Sequence, residues 1–511
     1  MPHSTLKRWL LSVGTILLLG ASARADITLP AIFSDHMVLQ QNASLPVWGW
    51  AAPGEHITAS IGQQTRNTTA DASGHWHLTL GKLSADSPLT LTVAGHNTIV
   101  IQDVLVGEVW LGSGQSNMQL SVNDVTNAWP EKTAATFPQI RMFTVARRPA
   151  AIPQTNCEGQ WVVCTPESVG SFSAAAYFFG RELHRKLGVP VGLIHASWGA
   201  TPIETWTSMP SQEGTPALAP VLKQWQATLR IPYDETKVQA QYARALATWT
   251  TNAEALKAAG KTVPPQPQKR GDPRLDKNYP ANLFNGMINP IIPYAIRGAI
   301  WYQGENNTAN NWAKLYALQL PLLIQDWRQR WNQGDFPFAW VQLPNFAAKN
   351  NAANWPVIRE CMLQSLTVTN TGMAITMDVG DPVNIHPKNK QAVGHRLALW
   401  AFANVYGQHV PYSGPLPAGN EIKGNEMILS FTHTDRGLVA KDGELTGFVI
   451  AGADHHWTTA TARIQGEQVI VSSPEVKSPK AVRYAWAANP ACNLFNGAGL
   501  PASPFRTDDW E

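Results

Sequence analysis

From about residue 104 to 407, short apolar runs alternate with amphipathic stretches, and this rhythm constrains the chain more than any other feature. Residues 104–111 are largely apolar and stop abruptly in Gly112-Ser-Gly-Gln-Ser-Asn-Met118. Residues 174–186 have the spacing of an amphipathic helix, and 191–197 read as a buried strand. Residues 295–302, 338–343 and 373–379 are further buried-strand candidates, and 388–405 a closing helix. Short runs that are apolar throughout are strands covered on both faces, and the helices between them are the crossovers that parallel strands require. The prediction is a three-layer α/β/α domain with a mostly parallel sheet.

The flanks obey a different period. Residues 75–80 and 89–93, and later 426–431, 446–450 and 468–472, are short strand-like runs divided by turn residues. Residues 26–103 and 408–511 therefore read as β-sandwich-like segments, either two small modules or one built from both ends. Within the central span of 104–407, an Ala-, Gln- and Lys-rich stretch at 222–259 marks a helical insertion over about 208–280, closing in a Pro- and Lys-rich loop.

Residues 1–25 have the layout of a cleaved signal peptide. Lys7 and Arg8 precede an apolar stretch, and Ala23-Arg24-Ala25 offers a small-x-small cleavage site. The apolar stretch is too short to span a bilayer comfortably. The chain is expected to be exported, periplasmic or secreted, and free of the membrane after cleavage. Export permits disulfides among the four cysteines. Cys157 and Cys164 bracket a short turn and are the candidate pair, with Cys361 and Cys492 free and buried. A balance of 39 basic against 36 acidic residues is too even for a nucleic-acid binder. No metal-type cysteine spacing is present, so neither metal nor cofactor is expected.

Parallel α/β sheets carry their active residues at the carboxyl ends of strands, and four such ends are unusually polar. In the first, Ser116 or Ser113 sits on a strand-to-helix turn, where a serine gains exposure. Alone, this is as readily a helix cap. In the second, Ser197-Trp-Gly-Ala-Thr-Pro-Ile-Glu-Thr-Trp206, Gly199 allows close backbone approach and offers its N–H to an oxyanion. In the third, Trp301-Tyr-Gln-Gly-Glu-Asn-Asn307, Gln303 or Asn306 can donate, whereas an ionised Glu305 only accepts. In the fourth, Asp378-Val-Gly-Asp-Pro-Val-Asn-Ile-His-Pro-Lys388, His386 is placed as a general base, with Asp381 or Asp378 to orient it. Any one of fourteen histidines on a loop would ordinarily be surface; His386 matters through its company.

Taken in order, the four segments resemble the SGNH hydrolases. Gly114-Gln-Ser-Asn-Met118, Trp198-Gly199 with Pro202-Ile-Glu204, Trp301-Tyr-Gln-Gly-Glu305, and Ile385-His-Pro387 with Lys390 resemble more closely the sialate O-acetylesterase-type carbohydrate esterases. The resemblance implies a serine esterase that removes O-acetyl groups from carbohydrate without metal. Ser116 would be the nucleophile and His386 its base; the N–H groups of Ser116 and Gly199 would form the oxyanion hole, helped by Gln303 or Asn306. The general SGNH pattern has an aspartate three residues before the histidine, where this chain has Val383. The orienting acid is then Asp381, Glu305 or Asp378, in that order, or the pair works as a dyad. The substrate is an acetylated oligo- or polysaccharide. Trp198, Trp301 and Tyr302 near the motifs, and no adjacent arginine for a sialate carboxylate, favour xylan- or xyloglucan-type glycans over sialates. The rival of another class is a non-catalytic carbohydrate-binding protein, which would have lost the nucleophile or base.

Overall fold

The computed structural model describes residues 26–84, 87–309 and 312–510; the expected leader, residues 1–25, lies outside them. The centre is a sheet of β1 (Thr98–Gly114), β2 (Phe137–Thr144), β3 (Trp161–Cys164), β4 (Val191–Ser197), β5 (Gly298–Tyr302), β6 (Phe338–Val341) and β7 (Thr371–Ala374). Across the sheet the order is β7-β6-β5-β1-β4-β2-β3. Every neighbouring pair is parallel except β2–β3, which is antiparallel. The chain first builds the side from β1 to β3 and then returns to build the other side from β5. β1 is thus the switch point, where loops diverge to opposite faces and leave a crevice at the carboxyl edge.

Register aligns that edge. Gly114 at the end of β1 is opposite Ser197 on β4 and Tyr302 on β5. The three strands stop level, so the segments that follow them emerge together. The helices are α1 (Ser116–Gln119), α2 (Ala174–Leu187), α3 (Ala219–Leu229), α4 (Glu235–Ala258), α5 (Tyr316–Trp331), α6 (Asn354–Gln364) and α7 (Lys390–Asn404). The sequence sets the ends of α2 locally. Ser173 accepts the Ala176 N–H at 3.2 Å, and Gly188 closes the helix in the left-handed region at φ 68°. Gly180 lies against Leu193, so α2 packs closely on β4. α3 and α4 form the helical insertion; α4 buries only Val238 and Ala253 and is otherwise a solvated helix.

The N-terminal segment is not a separate sandwich. β1 runs for 17 residues; its first half pairs antiparallel with Leu89–Ala94 and its second half enters the parallel sheet. Residues on both sides of position 103 share one continuous core. The boundary expected there falls inside a strand, because a strand that changes sheets carries no turn signal to mark the change.

The C-terminal segment has its own core, including Met427, Leu429, Phe448, Ile450 and Val469. Two four-stranded antiparallel sheets enclose it. It is fixed to the central α/β domain through α6. Arg506 pairs with Glu360 at 2.8 and 3.0 Å. Arg359, fully buried, donates to the carbonyls of Leu343, Pro344, Ala487 and Ala488 at 2.6–2.9 Å.

All four cysteines are free, which corrects the expected Cys157–Cys164 pair. The cause is β3: its extended residues 161–164 carry Cys164 away from the loop that holds Cys157 and turn its Sγ toward Ala135 O at 3.8 Å. Burial pushes the thiols of Cys157, Cys164 and Cys361 up to about 12, so they stay protonated.

Candidate active site

The level strand ends bring all four polar segments to one place. Gly114 makes this possible. At φ 138°, it packs so closely on β5 that a Cβ would stand 2.1 Å from Tyr302 O. Only glycine fits there, and the Gln115 N–H then reaches Tyr302 O at 3.0 Å. The Gln115 side chain fastens the third segment. Its Oε1 accepts from Gln303 Nε2 and from the Asn306 N–H, both at 3.2 Å. Asn307 ties the third segment to the second, accepting the Ile203 N–H at 3.0 Å and donating to Glu204 at 3.2 Å.

Ser116 begins α1, half-buried, and its Oγ makes no hydrogen bond to the described residues. Ser113 lies within β1, fully buried, with an Oγ that has no partner. Of the two serines, Ser116 is the one with exposure at the strand end. A Cβ on Gly199 would stand 3.1 Å from Ser116 Cβ, so the second segment lies directly beside the serine. The Gly199 N–H is not open: Gln119 Oε1 accepts it at 2.8 Å.

The His386 loop meets α1 through Asn117. Asn117 Nδ2 donates to Ile385 O at 3.0 Å, which places the residue after Ser116 against the residue before His386. His386 is half-buried, and its ring makes no hydrogen bond to the described residues. Burial, and then the nearby Lys390 ammonium, hold its imidazole below the usual histidine range, which favours the neutral, basic form. His195 on β4 is no rival base. It is buried, bonded to Ser197 Oγ at 2.5 Å, and pushed down to about 3 by burial.

Several expected roles need correction. Asp381 does not orient His386. Its Oδ1 accepts the N–H groups of Val383 and Asn384 at 2.9 and 3.1 Å, folding its own loop. Asp378 is held bidentately by Arg396 at 2.6 and 2.7 Å. Glu305 faces Asn117 Nδ2 at 2.5 Å, and burial pushes its carboxyl above the ordinary range. Among the described residues, no carboxylate is therefore bonded to the His386 ring.

Gln303 is not an available oxyanion donor. Fully buried, its Nε2 serves Gln115, Thr201 and Asn307, and its Oε1 accepts from Tyr316. The side chain of Asn306, only half-buried, has no such engagement. Trp301 and Tyr302 are fully buried, Trp301 packing edge-on against Trp206 and Trp327, so neither offers a face to sugar. Trp198 alone of the three retains exposure.

Asp381→Asn is accordingly expected to leave kcat within a factor of about three, because the amide oxygen can still accept both loop N–H groups. Steady-state kinetics of acetate release checks this; a loss on the order of 10²-fold or more would restore Asp381 as the orienting acid.

Comparison with known proteins gives the family. The family model for "Carbohydrate esterase, sialic acid-specific acetylesterase" matches residues 276–402, the span that holds the third and fourth segments. The chain is 30% identical to the sialate O-acetylesterase of Rattus norvegicus, covering 92% of each protein. With the Homo sapiens sialate O-acetylesterase it is also 30% identical, over 95% of this chain and 93% of that protein. The chain belongs to the sialate O-acetylesterase family of carbohydrate esterases.

A crystal structure of a carbohydrate acetylesterase from Xanthomonas citri superposes on this esterase with a TM-score of 0.81 at 35% identity, covering 95% of this chain and all of that one. This protein is thus a carbohydrate O-acetylesterase, a carboxylic ester hydrolase on an α/β fold with added antiparallel β segments. Sequence reasoning overlooked three side chains that build its site: Asn117, Gln119 and Lys390. Asn117 and Lys390 stood inside the quoted motifs, but nothing in the spacing said what they would touch.

Proposed function

We propose that Ser116 and His386 act as a nucleophile–base dyad that deacetylates an O-acetylated glycan. The observation that carries this is the Asn117 bridge, which joins the half-exposed Ser116 turn to the His386 loop at a shared strand edge. Ser116 Oγ attacks the ester carbonyl carbon as His386 takes the hydroxyl proton. The carbonyl oxygen becomes an oxyanion, received by the Ser116 N–H and, once Gln119 withdraws, by the Gly199 N–H, with the Asn306 amide as side-chain donor. The C–O bond to the sugar then breaks, and His386 returns the proton to the sugar oxygen. Water attacks the acetyl-serine as His386 takes its proton; the acyl–Oγ bond breaks, His386 returns the proton to Ser116 Oγ, and acetic acid leaves and ionises to acetate.

For the glycan, the first reading is an O-acetylated sialate. It is supported by the names of the relatives and by a lysine beside Gly199. Lys277 Nζ donates to Gly199 O at 2.6 Å and lies 5.7 Å from the Trp198 ring centroid, with the Asp276 carboxylate and then the Arg147 guanidinium close enough to act on it. A sialate carboxylate would meet the Lys277 ammonium there. The second reading is a neutral hemicellulose such as xylan or xyloglucan. It is supported by a cleft of about 510 Å³ against the His386 loop, bounded by Phe346, Trp355, Pro382, Val383 and Ile385. Such a wall suits the apolar face of a sugar ring.

Acetate release from O-acetylated sialate, xylan and xyloglucan oligosaccharides, with Ser116→Ala as the blank, separates these readings. A kcat/KM at least tenfold higher on sialate supports the first; the reverse order supports the second. Turnover on none of them, with a folded protein, overturns the proposal.

A further inference from the structure

We propose that Lys390 and Asn117, braced by Glu305, are positioning residues that hold the two peptide carbonyls flanking His386 and thereby orient its imidazole. This rests on the Ser116–His386 reading and extends it to residues with no assigned role. His386 sits on an irregular loop, and no carboxylate bonds its ring to fix tautomer and direction, the task a third group performs in a triad. The loop is instead gripped on both sides of the histidine. Asn117 Nδ2 donates to Ile385 O at 3.0 Å, and Lys390 Nζ donates to Pro387 O at 2.7 Å. The two grips are one unit, because Lys390 Nζ also donates to Asn117 Oδ1 at 2.7 Å and Asn117 Nδ2 reaches Glu305 Oε1 at 2.5 Å.

The cluster is buried, with Lys390 and Asn117 at 0% exposure and Glu305 at 6%. Holding a lysine and a glutamate out of water is expensive. A purely structural cluster would use every acceptor, yet Glu305 Oε2 is buried without a partner. Among the described residues, the hydrogen bonds from the Lys390 ammonium go to the His386 loop and to the residue that grips it.

The same lysine acts on the imidazole electrostatically. The titratable groups around Lys390 are Glu305 and Tyr302 from the end of β5, with its Nζ 5.1 Å from the Tyr302 ring centroid, and His386 on its own loop. Burial pushes Lys390 down to about 7, against the opposing pull of Glu305. Below that pH its charge is present and disfavours protonation of His386. A base that must be neutral loses activity as pH falls through its pKa, so the acid limb of the rate profile lies below the usual histidine value. Removing the Lys390 charge raises the His386 pKa and moves that limb to higher pH.

The test compares Lys390→Met, Asn117→Ala and Ser116→Ala with the wild-type esterase on 4-nitrophenyl acetate, recording kcat, KM, the pH profile of kcat/KM and thermal unfolding. Lys390→Met is expected to lose about 10- to 100-fold in kcat with KM little changed, and its acid limb moves upward. Asn117→Ala is expected to lose kcat to a similar degree with the limb in place, because the lysine charge remains. A folded Lys390→Met with wild-type kcat, or with reduced kcat but an unmoved limb, overturns the inference. If Lys390→Met does not fold, wild-type kcat in Asn117→Ala overturns it. Ser116→Ala separates the two levels: activity there sinks the nucleophile assignment, whereas an inactive Ser116→Ala beside an unaffected Lys390→Met sinks only the positioning role.

Discussion

Ser116→Ala is expected to lower kcat by on the order of 10³-fold or more while leaving the melting temperature unchanged. Both halves follow from the environment of one hydroxyl. Ser116 Oγ bonds to none of the described residues, so the folded state loses nothing with it, and alanine suits the first position of α1. On the proposed mechanism, in contrast, the reaction loses the atom that attacks the ester. Ser113→Ala is the control. Its hydroxyl is buried and unpartnered within β1, so removing it deletes an unsatisfied polar group and should leave both rate and stability near wild type. Acetate release and a thermal melt on the two variants read out the contrast; loss of activity in Ser113→Ala alone would reverse the assignment.

The largest stability effect is expected at Arg359. Its guanidinium, fully buried, donates to four main-chain carbonyls, two in the loop after β6 and two in the C-terminal segment. Arg359→Met keeps much of the volume but leaves those four acceptors without their donor in a buried interface. Each unmade bond to a buried group costs about 1–3 kcal/mol, offset in part by relaxation and water entry. The expected net loss is about 3–5 kcal/mol, the range seen when one partner of a buried charged network is removed. Urea unfolding checks this, with the C-terminal segment expected to loosen first. A loss below about 1 kcal/mol would show that these carbonyls find water at no cost.

The elements that were legible in the sequence are those whose burial is uniform. The run at 191–197 coincides with β4, because a strand covered on both faces is apolar throughout and ends where a turn begins. The helix expected at 174–186 is α2, bounded by its own cap residues Ser173 and Gly188. The four strand exits were legible for the same reason: polar residues following buried strands mark the carboxyl edge of a parallel sheet. Which side chain does what at that edge was not. Gln303 looked like a donor because amides donate, but its donor is spent on three internal acceptors. Trp301 and Tyr302 looked like sugar platforms because they sit beside the motif, but they end a strand buried on both faces. Asp381 shares a loop with His386 yet turns back on its own backbone, the ordinary behaviour of an aspartate before proline in a tight loop. Lys390 was the least legible. A lysine at a helix start reads as solvated, and only the tertiary fold shows it buried beneath the His386 loop.

The most direct test of the central claim is covalent. Incubation with a fluorophosphonate, which reacts with activated serine hydroxyls, followed by peptide mass spectrometry, locates the nucleophile. The proposed dyad predicts one adduct per chain, on Ser116, formed in step with loss of acetate release and slowed when His386 is replaced by alanine. An adduct at another serine that tracks the loss of activity, or full activity in protein labelled at Ser116, would contradict it.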